Sequence, residues 1–197
     1  MGKVVSSASM SLDGFVAGPN DEVGPLFDWY EAGEVPWESA GGDMTFHLTQ
    51  TDADYWRSWV GRLGALVVGR HLFDITDGWK GTHPLGVPVV VLTHAPPDGW
   101  GYPGGTVEFV TGGVHDAVAR AREIAGDADV GVAAGEIASQ CVAEGLLDEV
   151  AIDLVPCFLG VGRPYFTEAA GQVVLGNPTT VVEGERVTHL VYPAQRG

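Results

Sequence analysis

Between Ala65 and Val155 the chain alternates short, mostly apolar runs with longer segments of helical spacing. No other feature restricts the architecture as much. Val87–Leu92 is a continuous apolar run, the pattern of a strand covered on both faces. Ala65–Val68, Val107–Val110, Val130–Ala133 and Val150–Val155 read as further buried strands. Helices are expected at Val114–Ala125, stopped by Gly126, and at Gly135–Glu144, stopped by Gly145. Strands alternating with helices predict an α/β protein, a three-layer αβα sandwich around a mostly parallel, mixed central sheet.

The flanking segments complete the pattern. Val4–Ala8 reads as a first strand that enters a turn at Asp13-Gly14. Val173–Leu175, Thr179–Val182 and Val187–Tyr192 read as closing strands, and Glu183-Gly184-Glu185 folds the last two into an antiparallel C-terminal hairpin. Pro19–Thr51 reads as long and irregular, with Phe27, Trp29, Tyr30, Trp37 and Phe46 along it. Loops of that length are functional or disordered, and the aromatics argue for function, as a lid over a flat heterocycle together with Trp79. Asp52–Leu63 is expected to be a helix with Tyr55, Trp56, Trp59 and Val60 on one face and Asp52 or Asp54 at its start. There is no internal repeat or low-complexity tract, so residues 1–197 are expected to form a single domain.

Composition excludes several classes of function. A net charge of −16 with only 10 Lys and Arg leaves no basic surface for nucleic acid. No apolar run is long enough to span a bilayer and the N-terminus lacks a signal core, so a soluble, cytoplasmic protein is expected, with no membrane partner. Cys141 and Cys157 fit reduced thiols better than a bridge. The six histidines show no metal-binding spacing.

The residues that suggest chemistry sit at strand ends, where open α/β sheets bind ligands. Gly69-Arg70-His71 follows a strand and opens a helix. It reads as a phosphate grip, or as a plain turn carrying a surface arginine. Thr93-His94 ends another strand, ahead of Pro96-Pro97. Ala133-Ala134-Gly135-Glu136 leads into the helix after the Val130–Ala133 strand, with Glu136 placing a carboxylate where an anion would rest. Pro156–Phe166, P-C-F-L-G-V-G-R-P-Y-F, reads as a loop. Its Arg163 either reaches a ligand phosphate or pairs with a carboxylate. Gly160-Val161-Gly162 lacks the third glycine of a dinucleotide fingerprint. The Ser9–Ala17 segment, S-M-S-L-D-G-F-V-A, is either a ligand loop or an Asp-Gly turn.

Taken together, these motifs resemble the dihydrofolate-reductase-like superfamily. The nearest pattern is that of the reductase domain of riboflavin biosynthesis (RibD C-terminal type) and its stand-alone homologues. The segment Ser11–Ala17 is similar to the family's S-x-D-G-x-[IV]-A loop, and Gly69–Asp74 is similar to its G-R-x-T-x-E motif, with Leu72 at the threonine position. Ala133-Ala134 stands where the family has a glycine pair. The resemblance spans Val4 to Tyr192 and implies NADPH as cofactor. It places the phosphates at Gly69, Arg70, His71, Thr93 and His94 and at Ala133, Ala134, Gly135, Glu136 and Ile137. It further implies a small-molecule substrate held by Ser9, Met10, Asp13 and Phe15, and a homodimer, through the C-terminal strands. Hydride transfer also needs a proton. Asp54, with Asp52 as the alternative, falls in the neighbourhood of the family's carboxylate, and either one also reads as a helix cap. The function implied is NADPH-dependent reduction of a small heterocyclic (pterin- or pyrimidine-like) or carbonyl or imine substrate. The other reading is a reductase-fold binding protein that has lost NADPH.

Overall fold

The computed structural model describes residues 2–194. In chain order the strands are β1 (Val4–Ser11), β2 (Phe15–Ala17), β3 (Val35–Glu38), β4 (Thr45–Leu48), β5 (Leu63–Gly69), β6 (Val89–Leu92), β7 (Val107–Val110), β8 (Asp129–Val132), β9 (Glu149–Val155), β10 (Arg163–Pro164), β11 (Thr180–Glu183) and β12 (Thr188–Pro193). The α-helices are α1 (Gln50–Val60), α2 (Arg70–Ile75), α3 (Val114–Ala125) and α4 (Glu136–Ala143).

Eight strands form the central sheet in the order β11-β12-β9-β1-β8-β5-β6-β7. The six from β9 to β7 run parallel, and β12 joins antiparallel to β9 and closes a hairpin with β11. This is the expected mixed sheet with its C-terminal hairpin.

Two apolar layers cover it. In β5, Leu66 and Val68 face the layer that holds Trp56, Trp59 and Phe73, while Ala65 and Val67 face the layer that holds α3 and α4. Apolar residues at both parities are what burial on both faces requires. α3 lays Val114, Ala117, Val118 and Ala121 on the sheet, at the i, i+3, i+4, i+7 spacing of one helical stripe.

Several expected elements differ. Pro19–Thr51 is ordered. It holds a 3₁₀ helix at Gly24–Glu31 and the β3–β4 ribbon, whose register pairs Trp37 with Phe46. α1 begins two residues before Asp52 because Thr49 caps it, its hydroxyl accepting from the Asp52 amide. Leu63, expected at the end of that helix, opens β5 instead. Val173–Leu175 is not a strand. Val173 and Val174 lie exposed, with no sheet partner to cover them.

Candidate functional site

The carboxyl ends of β1, β8, β5 and β6 lie side by side, and the loops that leave them meet. β5 and β8 are locked by the amide of Ala133 donating to the Val67 carbonyl, 2.9 Å. Just beyond, Gly69 lies against the start of α4. A Cβ there would stand 3.4 Å from Ile137 Cγ1. Gly135 turns the chain into α4 at φ +86°, a conformation that favours glycine. Its amide donates to the Tyr165 carbonyl at 2.7 Å. Ala133 and Ala134 are half-buried and pack on opposite layers. Glu136 is engaged locally, accepting from Thr167 Oγ1 at 2.9 Å and from Gln140 Nε2 at 3.0 Å.

Arg70 and Thr93 come together around one carbonyl. Arg70 Nη1 donates to the oxygen of Ala95 at 2.8 Å, and Thr93 Oγ1 donates to the same oxygen at 3.0 Å. Arg70 Nε also holds Asp74 at 2.7 Å. Thr93 is buried in this local turn, while His94 is exposed. His71 points elsewhere. Its Nε2 lies 2.9 Å from Asp21 Oδ1, and Asp21 is also gripped by Nε and Nη2 of Arg163. Arg163, followed first by His71, holds the Asp21 carboxyl below the usual carboxylate range.

The Ser9–Phe15 segment is divided by the pleat. Ser9 faces α1 and is buried, accepting a hydrogen bond from Trp29 Nε1 at 3.1 Å. Met10, next along the strand, packs on the opposite layer. Asp13 braces the structure. It accepts from Ser11 Oγ at 2.6 Å and from the amides of Leu159 and Gly160 at 3.1 and 2.7 Å. The Ser11 bond foremost, and then the two amides, keep its carboxyl below the ordinary range. Phe15 lies in β2, opposite Pro164.

The two candidate acids of α1 face in opposite directions. Asp54, the residue favoured from the sequence, is on the solvent side, held by Gln50 Nε2 at 2.8 Å and lying 3.7 Å from Arg57. Asp52 is wholly buried and contacts His189 Nε2 at 3.1 Å. His189 Nδ1 lies 2.6 Å from Asp153. Ser9, Asp153 and His189 form one rung across β1, β9 and β12. Tyr55 stacks on the imidazole at 4.0 Å. Burial, followed by the Asp153 charge, pushes the Tyr30 and Tyr55 hydroxyls up and keeps them protonated. Asp153 and His189 went unremarked in the sequence, yet a signal was present. Each shares strand parity with buried apolar residues, Ala151 and Val155 in one case and Val187 and Val191 in the other.

The aromatic residues of Pro19–Thr51 do not form a lid. Trp37, Phe46, Tyr30 and Trp29 stack in series at 5.3, 4.3 and 4.1 Å, and all four pack against Trp56. Trp79 packs on His83, 4.5 Å away. Two cavities lie on the β9–β12 flank, away from Gly69 and Gly135. One of about 220 Å³ is bordered by Leu12, Gly184 and Thr188, and one of about 90 Å³ by Tyr55, Arg62 and Glu149. Among the described residues no cluster of three His, Cys, Asp or Glu could hold a metal ion, and no helix is long and apolar enough to cross a membrane. Both cysteines are free thiols.

With the strand order and the loop cluster established, known structures can be compared. The chain matches a crystal structure described as a putative riboflavin biosynthesis protein from Shewanella sp. PV-4, with TM-score 0.71 and 23% identity over 98% of this chain and 99% of that one. The fold is dihydrofolate-reductase-like. RibD of Acinetobacter baumannii matches with TM-score 0.62 and 16% identity over 99% of this chain, which spans 58% of that protein. A dihydrofolate reductase from Enterococcus faecalis, complexed with NADP(H) and RAB-propyl, matches with TM-score 0.52 and 14% identity, covering 97% of this chain and 95% of that one. No protein-family model and no curated protein matches the chain.

Proposed function

We propose that the protein is an NADPH-dependent reductase delivering hydride to a small heterocyclic (pterin- or pyrimidine-like) or carbonyl or imine substrate. The observation that supports it is the convergence of Arg70 and Thr93 on the Ala95 carbonyl, with the Gly69–Ile137 contact, at the carboxyl edge of adjacent parallel strands. The phosphate end fits the residues present, because a carboxylate, that of Asp21, already rests on His71 and Arg163 where an oxyanion would be received. In this reading Arg70 and His94 grip the adenosine-side phosphate, His71 and Arg163 face the diphosphate, and the Ser9–Phe15 segment positions the substrate. NADPH supplies the hydride. With Asp54 turned to solvent, the accompanying proton comes from bound water. Homodimerisation belongs to the same proposal, through the open edge of β11, where Val181 is exposed, and light scattering after gel filtration tests it.

The test is a titration with NADPH and NADH followed by nicotinamide fluorescence. Arg70→Ala is expected to weaken NADPH at least tenfold, about 1.4 kcal/mol, and to spare NADH. Equal losses for both would remove the 2′-phosphate role. The aromatic stack, which packs on itself and not around an opening, favours a second reading, a binding protein on a reductase fold. Absence of NADPH and NADH binding by a folded sample, with binding appearing in an Ala133→Gly, Ala134→Gly variant, would select it.

A further inference from the structure

We propose that Asp21 is a built-in counter-anion, a latch that holds two anion-receiving groups, His71 and Arg163, until a ligand's phosphate displaces it. The inference rests on reading the carboxyl edge of the sheet as a nucleotide site. Asp21 Oδ1 lies 2.9 Å from His71 Nε2 and also accepts from Arg163 Nε, while Oδ2 lies 3.2 Å from Arg163 Nη2. The guanidinium therefore presents its Nε–Nη2 edge to Asp21 in a two-point grip, the geometry with which arginine takes a phosphate. The two groups come from separate parts of the molecule, His71 from the first turn of α2 and Arg163 from β10. Asp21 joins them.

Three features distinguish this contact from an ordinary surface ion pair. Burial is unequal: the Asp21 side chain is 20% exposed, against 53% for His71 and 44% for Arg163, so the carboxylate is tucked between an imidazole and a guanidinium that remain open to solvent. Asp21 sits at φ +68°, a left-handed state that is costly for a residue with a Cβ, and its two ion pairs help to hold it there. The loop is also self-contained. Gly18 donates to the Glu22 carbonyl at 2.7 Å and Asn20 to the Glu22 carboxylate at 2.8 Å, so residues 18–22 form a closed turn that can leave the cations as one piece.

The charge balance gives the latch a consequence. In a chain of net charge −16 the overall field repels an anionic ligand, and attraction must come from a few local cations. Asp21 occupies two groups that would receive such an anion, the His71 imidazole and the Arg163 guanidinium. A phosphate ester carrying two negative charges outcompetes a carboxylate carrying one, whereas an uncharged or singly charged ligand does not. The latch thus selects multiply charged phosphates, and its release would free the loop that follows β2.

The experiment uses calorimetry with inorganic pyrophosphate and, separately, NADPH, on the full chain and its Asp21→Asn, Asp21→Glu and Asp21→Asn/Arg163→Gln variants, with circular dichroism confirming the fold. Asp21→Asn is expected to bind pyrophosphate about tenfold more tightly than the parent. Asp21→Glu should restore the weaker binding, and adding Arg163→Gln should abolish the gain. Pyrophosphate affinity unchanged within about twofold in a folded Asp21→Asn protein overturns the latch, and NADPH binding by the parent would then leave the reductase reading standing. A gain for pyrophosphate with no NADPH binding by any variant upholds the latch and removes the reductase reading.

Discussion

Replacing His189 by Leu keeps the ring's approximate volume beneath Tyr55 and removes the hydrogen-bonding bridge between Asp52 and Asp153. All three side chains are 0–4% exposed, so no water replaces the lost contacts. Removing one member of a buried ion-pair network costs about 3–5 kcal/mol, because the remaining carboxylates lose the group that bridges them, although Asp52 keeps the Thr49 hydroxyl at 2.6 Å. For a domain of this size, each kcal/mol is worth roughly 2–4 °C, so the melting temperature should fall by roughly 6–20 °C. Urea unfolding followed by tryptophan fluorescence and circular dichroism measures it. The decisive comparison is the triple variant His189→Leu, Asp52→Asn, Asp153→Asn. If orphaned carboxylates cause the loss, neutralising them should recover about half or more of it. A single-variant cost below about 1 kcal/mol, or a triple variant no more stable than the single, would refute the reasoning.

Two further outcomes follow from other positions. Burial lowers the His83 pKa from its ordinary value to about 4, so the native state holds this ring neutral. Between about pH 6.5 and 4 the unfolded chain binds a proton that the folded chain does not. Stability should therefore fall with pH through that window, by about 3 kcal/mol from this group, and His83→Asn should flatten the profile there; an unchanged slope between the two proteins would count against it. At Gly184 a Cβ would stand 1.8 Å from Asp52 Oδ1, so Gly184→Ala should force Asp52 off His189 and destabilise by about 2 kcal/mol or more in urea titration, whereas a neutral effect would show that the hairpin gives way instead.

The architecture was legible because the evidence for it is local. The uninterrupted apolar run at Val87–Leu92, the V-E-F-V alternation at Val107–Val110 and the stripe of α3 contain their own period, and β6, β7 and α3 appear within a residue or two of where the pattern puts them. Val173–Leu175 failed as a strand because three apolar residues in a row do not specify a partner, and none is adjacent. At the site, the loops that carry Gly69, Thr93 and Gly135 could be read from strand ends, but the roles of the side chains could not. Which carboxylate of α1 faces the sheet depends on where the helix begins, and Thr49 sets that start so that Asp52 turns inward and Asp54 outward. Asp21 carried no local signal, since its partners His71 and Arg163 are 50 and 142 positions away.

The Pro156–Phe166 segment also governs when the site comes into being. Its backbone and side chains reach back to Asp13 across 146 positions, to Gly14 and to Asp21, and forward-fold onto Gly135. During synthesis the loops after β1, β5, β6 and β8 all emerge before this segment does, so they stand unbraced until it arrives. The ties that join these loops are therefore the last to be made, and eleven residues carry them. A nascent chain released before Pro156 would own most of the ligand-facing groups named here and none of these ties.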